Sequence, residues 1–245
     1  MNNVIELLQS HRSIRKFTDQ SVDQDTLNTI ISSGQAAATS SNVQGTTVIQ
    51  VDDKSSREKM AELAGGQSYV VSSGAFFVFC ADVKRAAQAC VLQGGEFSPG
   101  MTEHFMIATI DVALFAQNCV VAAESLGMGI CYIGGLRNSP AEVSSLLQLP
   151  DHVYPVFGLC IGYPDQDPDI KPRLPLSTVL MQETYDSSRL EPGIAEYDEH
   201  IRTYYKTRTG GKKNSSWSEE MRALVGKESR PHMRDFLRSR GFTMK

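Results

Sequence analysis

The chain has 245 residues, of which 41% are hydrophobic and 21% charged, with a formal charge of -4. That length suits one large domain with a sizeable core, and the composition excludes a disordered chain. The acidic balance excludes nucleic acid as a bulk electrostatic partner.

The start, Met1-Asn2-Asn3-Val4-Ile5-Glu6, lacks the cationic run and apolar stretch of a secretory signal, so a cytoplasmic location is expected. A short amphipathic stretch, Val4 to Gln9, leads into the basic segment His11-Arg12-Ser13-Ile14-Arg15. If that segment is extended, His11, Ser13 and Arg15 share one side and Arg12 and Ile14 the other, which offers an anion site. A solvated basic run after a helix explains the same residues. Asp23 is a helix N-cap, with the helix running to about Ala38, and Thr39-Ser40-Ser41-Asn42 breaks it. Thr46 to Val51 is β-branched and strand-like. Asp53 caps a helix that ends at Gly65-Gly66, and Ala75 to Cys80 reads as a buried strand.

From about Met101 to Leu126 apolar positions recur all round a helix, and Asp111, Gln117 and Asn118 interrupt its apolar run. Those polar groups in hydrocarbon would be costly, so a buried helix is expected and not a membrane span. Gly127 and Gly129 end it, and Ile130 to Ile133 is a short strand delivered into Gly134-Gly135. Ser139-Pro140-Ala141-Glu142 has the pattern of a capping box, opening a helix to Gln148. Tyr154 to Ile161 is a last buried strand, followed by a proline-rich stretch from Gly162 to Pro175. Two further helices are expected at Ala195 to Lys206 and Ser218 to Lys227, separated by a glycine- and lysine-rich loop. The interleaving predicts a sheet covered on both faces with helical tails outside it.

Cys80, Cys90, Cys119, Cys131 and Cys160 show no Cys-x-x-Cys pairing and sit mostly among apolar neighbours, so they are expected to be reduced and structural. The scattered histidines lack metal-ligand spacing, and no metal is expected. In Lys171-Pro172-Arg173 the proline stiffens the backbone so that a point charge and a bidentate fork converge on one side, as a phosphate monoester would require. A surface turn is the plainer alternative. Tyr132-Ile133-Gly134-Gly135 places paired glycines after an apolar strand, where backbone N–H groups can approach a flat ligand, or where the chain simply turns tightly. It is not the dinucleotide fingerprint Gly-x-Gly-x-x-Gly.

Taken together, His-Arg-Ser-Ile-Arg at 11–15, Thr-Ser-Ser at 39–41, Ala64-Gly65-Gly66-Gln67, Ala122-Ala123-Glu124-Ser125-Leu126-Gly127, Tyr-Ile-Gly-Gly-Leu-Arg-Asn at 132–138 and Lys-Pro-Arg-Leu-Pro at 171–175 resemble the oxygen-insensitive NADPH nitroreductases and NADPH-flavin oxidoreductases. The resemblance extends to Trp217-Ser218 and Lys227-Glu228-Ser229-Arg230-Pro231. It implies an α+β, three-layer fold: a central, mostly antiparallel sheet flanked by helices. The chain would be one domain over 1–245, with a core over about 1–175 and a helical extension over about 176–245 that wraps the partner subunit of a homodimer.

The resemblance also implies FMN at the subunit boundary. It puts His11, Arg12, Ser13 and Arg15 on the cofactor, with Lys171 and Arg173 at its phosphate. Thr39, Ser40 and Gln67 would come from the partner subunit. The Tyr132, Ile133, Gly134 and Gly135 strand end would lie beside the ring, with the Gly134 N–H facing flavin N5 and Arg15 stabilising charge near N1. Arg208 and Lys213 are implied for NADPH, and Asn42, Arg137 and Arg230 for the substrate. Asn42 departs from the apolar or aromatic residue that relatives often carry, and Ala86 to Gly100 departs as a variable loop. The implied reaction is ping-pong hydride transfer from NADPH to nitroaromatics, quinones or free flavin. Supply of reduced FMN to another enzyme and a non-catalytic FMN-binding module are the alternatives.

Overall fold

A computed structural model describes residues 2–245. It divides into two compact units, one comprising the chain up to Asp167 rejoined by His232–Lys245, the other Pro168–Pro231.

The first unit is built on a four-stranded sheet in the order β1-β2-β4-β3, from β1 (Thr46–Gln50), β2 (Ala75–Asp82), β3 (Gly129–Ile133) and β4 (Val153–Gly162). Every pairing in it is antiparallel. The fold is therefore α+β, as the sequence predicts. Along β2, Phe77, Phe79 and Ala81 enter one apolar cluster while Phe76, Val78 and Cys80 enter the other. The period of two sends alternate side chains to opposite faces, and because both faces are covered every residue of the strand is buried.

On the Phe79 face pack α2 (Gln24–Gln35) and α6 (Thr102–Ser125), together with Phe236 and Leu237 of α11 (Met233–Ser239). The Phe76 face is covered by residues from α3 (Lys54–Leu63), α4 (Tyr69–Ser72) and α7 (Pro140–Leu146). The α6 helix is long and apolar enough to cross a membrane by composition. Here Ala108, Asp111, Val112, Ala116, Cys119, Val120 and Ala123 line its buried face. Its other face leaves Met106, Ile110 and Leu114 about half exposed. The neighbouring α1 (Asn3–Gln9) exposes Val4, Ile5 and Leu8.

Local signals account for the helix ends. Asp23 and Asp53 accept the N–H groups of Thr26 and Ser56 at 2.8 and 2.7 Å, and Gly65 and Gly66, at φ +90 and +81, turn the chain after α3. Three expectations are corrected. The helix from Asp23 stops at Gln35, short of Ala38. The first part of Ala86 to Gly100 is not loop, because α5 (Lys84–Leu92) is built from good helix formers such as Ala, Arg and Gln. The capping box at Ser139 does not form. Ser139 also ends the tight turn Gly134–Asn138, and its N–H is already taken by the Leu136 carbonyl at 3.4 Å, so Glu142 has no donor to reach. α11 was not foreseen.

The second unit contains α8 (Leu176–Val179), α9 (Leu190–Arg208) and α10 (Trp217–Leu224). Its core consists of Tyr197, Ile201, Tyr204 and Tyr205 of α9, with Leu174 and Trp217 against them. A capping box does form here. Ser216 Oγ accepts the Glu219 N–H at 3.2 Å, and the Glu219 carboxylate accepts the Ser216 N–H at 2.9 Å.

Candidate active site

The basic segment is extended and joins the sheet edge. Ser13 bridges Ile130 in parallel, and the Ile14 N–H donates to the Ile130 carbonyl at 2.8 Å. Burying Ile14 forces the alternation that sets its neighbours. His11 Nδ1 lies 2.6 Å from Glu124 Oε1 near the end of α6, and Arg12 pairs with Asp167 at 2.8 Å. Arg15 is exposed and its N–H donates to Gln166 Oε1 at 3.3 Å. Burial pushes the Tyr69 hydroxyl above its usual range, Cys131 adds to the rise, and the Arg15 guanidinium opposes it. Arg15, Tyr69 and Cys131 are thus neighbours; the sequence marks Cys131 only as a structural thiol and gives no sign of Tyr69.

The strand end after β3 shows its backbone. Tyr132 packs edge-on against Phe157 at 5.0 Å, and Ile133 is fully buried, so both side chains belong to the core. Burial pushes the Tyr132 hydroxyl well up, with Cys119 and Glu124 adding to it. Gly135 and Gly134 are glycines for different reasons. A Cβ on Gly135 would sit 2.3 Å from the Ala64 carbonyl oxygen, which the backbone cannot yield. On Gly134 it would meet the tip of the Arg137 guanidinium at 3.2 Å, the end of a flexible side chain.

The same Gly135 position lies 3.0 Å from Gln67 Nε2. Gln67 thus lies beside the Gly134-Gly135 turn of its own chain. The reason is the tight Gly65-Gly66 turn, which carries Gln67 back to that strand end.

Thr39, Ser40 and Asn42 occupy a loop held by a residue the sequence offered only as a break in an apolar helix. Asp111 is 1% exposed, and its carboxylate accepts the Ser40 N–H at 3.1 Å and the Gly45 N–H at 2.9 Å. Between these anchors Ser41, Asn42 and Gln44 adopt left-handed φ of 48, 58 and 55. Such residues cost strain that the buried carboxylate offsets. Arg137, expected to face substrate, turns inward and donates to the Val156 carbonyl at 2.6 Å. That carbonyl lies where the β2–β4 register slips, with Phe79 opposite Phe157 and Cys80 opposite Pro155.

In the second unit the tyrosines of α9 place the remaining cations. Lys171 Nζ donates to the Tyr205 hydroxyl at 3.0 Å, and that hydroxyl donates to Glu220 Oε2 at 3.0 Å. Tyr197 donates to the Pro172 carbonyl at 2.8 Å, and Arg173 folds back on the Lys171 carbonyl at 2.7 Å. Arg208 donates to the Tyr204 hydroxyl at 2.9 Å. Lys213 pairs with Glu220 and lies 3.8 Å from the Tyr205 ring centroid. The pairing holds the Glu220 carboxyl below its ordinary range and raises the Lys213 ammonium. Arg230 sits in a left-handed conformation at φ 52. Glu220 went unnoticed in the sequence because Lys213 and Tyr205 reach it through the packing of α10 on α9.

Comparison with known proteins is consistent along the chain. A family model described as the nitroreductase family matches residues 8–163, and one for the C-terminal domain of that family matches 171–245. An FMN reductase (NADPH) of Bacillus subtilis is 43% identical over 246 residues, covering 99% of each chain. An NADPH-flavin oxidoreductase of Vibrio harveyi is 43% identical over 241 residues, covering 98% of each. The solved structure of B. megaterium NfrA1 matches with a TM-score of 0.95 at 45% identity, covering 98% of this chain and 99% of that one.

Proposed function

The chain belongs to the nitroreductase family of oxidoreductases, and from that premise we propose that it binds FMN, takes electrons from NADPH and delivers them in pairs to flat acceptors such as nitroaromatics, quinones or free flavin. The observation that carries this reading is Gly134. Its φ is not left-handed, and the nearest atom a Cβ would meet is the Arg137 guanidinium at 3.2 Å, itself held on the Val156 carbonyl, so no backbone clash of the kind found at Gly135 demands glycine here. A flat ligand lying against the turn does demand it.

Bound FMN would supply the two-electron hydride chemistry. The chain's residues would hold and polarise it: His11, Arg12, Ser13 and Arg15 from the sheet-edge segment, Gln67 and Tyr132 to Gly135 around the turn, and Lys171 and Arg173 at the phosphate. Gly134 offers a backbone N–H, and Arg15, whose backbone N–H donates to Gln166, offers a cation beside Tyr69. Arg208 and Lys213 are assigned to NADPH, and Asn42 and Arg230 to the acceptor. Arg137 is assigned to the wall behind Gly134. The half-exposed apolar face of α6 with α1 supports a homodimer in which Thr39 and Ser40 reach the flavin across the interface and the C-terminal region wraps the partner. A cytoplasmic enzyme is the natural setting for such chemistry.

The test begins with colour. Purified protein, loaded with FMN where necessary, is expected to be yellow and to bleach when NADPH is added without oxygen. Protein that cannot be loaded, or whose colour NADPH leaves unchanged, overturns the reading. Arg15→Ala should slow bleaching by about tenfold or more while the dimer persists on sizing columns.

A further inference from the structure

The cations assigned to the nicotinamide donor are not equivalent. Arg208 rests on neutral partners, the hydroxyl and ring of Tyr204. Lys213 carries a carboxylate. We propose that Glu220 is a specificity-determining residue for the electron donor: it occupies Lys213 as an internal anion that the 2′-phosphate of NADPH must displace, and so limits the preference for NADPH over NADH. The inference rests on the reading above that Lys213 meets the 2′-phosphate.

The geometry makes this pair a built feature, since both ends are anchored by backbone. The Lys213 N–H donates to Thr209 Oγ1 at 2.8 Å at the end of α9. Glu220 stands in the first turn of α10, whose start is fixed by the Ser216–Glu219 capping box and by the Ser218 N–H on Asp198 at 2.9 Å. Glu219 is engaged elsewhere, with Arg202 at 3.2 Å. The groups facing the Glu220 carboxylate are therefore Lys213, the Tyr205 hydroxyl and, through that hydroxyl, Lys171. The side chains of Lys213 and Glu220 are 43% and 30% exposed, so an incoming phosphate can reach them. In such water-facing surroundings an ion pair is worth little, and a dianionic phosphate can displace the carboxylate at modest cost. NADH, without a 2′-phosphate, has no reason to open the pair.

Glu220→Gln tests this in the FMN-loaded protein. The amide keeps the size of the side chain and an oxygen for the Tyr205 hydroxyl, so the helix start is retained. The expected result is a rise of about fivefold in kcat/KM for NADPH, carried by KM and not by kcat, with NADH unchanged. Calorimetry supplies a readout independent of turnover: adenosine 2′,5′-bisphosphate should bind about fivefold tighter and AMP as before. Equal changes for both donors, or weaker NADPH binding, overturn the proposal, because Glu220 would then be positioning Lys213 for the phosphate. Lys213→Gln separates the two layers. If it leaves NADPH and NADH alike, the assignment of Lys213 fails and the inference with it. If it weakens NADPH selectively while Glu220→Gln tightens nothing, the inference alone fails.

Discussion

In the sheet unit β2 buries every side chain between two apolar layers, and the polar groups of the candidate site stand at the strand ends and in loops outside those layers. In Pro168–Pro231 the core is a few residues of α9, and the hydroxyls of its tyrosines Tyr197, Tyr204 and Tyr205 reach out to the Lys-Pro-Arg segment, Arg208 and Glu220. One unit thus separates packing from site chemistry, and the other uses the same side chains for both. The difference teaches where a substitution will show itself. In the sheet it should appear as lost stability, and in the tyrosine cluster chiefly as altered anion binding.

The largest expected effect is that of Phe79→Ala. Phe79 is fully buried, with Phe115 and Phe157 at 6.0 and 5.7 Å between ring centroids. Removing the ring loses its transfer free energy and leaves a cavity, a cost of about 3–5 kcal/mol visible in the urea midpoint. A cost below ~1 kcal/mol would mean that the layers collapse freely, and the contrast between the units would lose its first half.

Alkaline titration probes the same unit by another route. Burial pushes the Cys80, Cys119 and Cys160 thiols up to about 12 from 9.0. The folded state holds these protons more tightly than the unfolded state. Their stabilisation is thus complete below about pH 9 and is lost as pH climbs toward 12. The melting temperature should fall steadily above pH 9, and the combined Cys80→Ala, Cys119→Ala and Cys160→Ala variant should show a shallower slope. An unchanged slope would assign the alkaline loss to other groups. Residues 168–231 contain no cysteine, so this lever acts on the sheet unit alone.

How much of this was legible in the sequence follows from the range of each interaction. Asp23, Asp53 and Gly65-Gly66 act on residues within a turn of themselves, and the strands and helix limits they mark were read correctly or to within a few residues. Short continuous apolar runs likewise mark β2 and β4 as buried strands. Asp111 was visible as an oddity, but its partners Ser40 and Gly45 lie far back in the chain and meet it through the packing of α6. Ser139-Pro-Ala-Glu failed as a box because a preceding tight turn had taken the N–H, a competition that a four-residue pattern does not contain. The true box, Ser216 to Glu219, is hidden by an expected helix start at Ser218, one residue past the true start at Trp217. Cations were easily picked out as site residues; the neutral tyrosines and the carboxylate that position them were not, since nothing local distinguishes Tyr205 or Glu220 from ordinary helix surface.

Tyr205→Phe gives the smallest expected change in stability and the sharpest test of the second half of the contrast. The ring remains, so the core of α9 and the contact with Lys213 are kept. What disappears is one oxygen that accepts from Lys171 and donates to Glu220. Both partners are partly exposed and regain water, which limits the stability cost to about 1 kcal/mol. Trp217 is the chain's single tryptophan and packs on Tyr197 at 5.9 Å, so its fluorescence reports unfolding of this unit directly. Without the hydroxyl, Lys171 is no longer held in one place, and FMN affinity measured by fluorescence on dilution should weaken about threefold to tenfold. A variant that loses stability but keeps its FMN affinity would show that Tyr205 serves packing alone, and that the two units are built on the same plan after all.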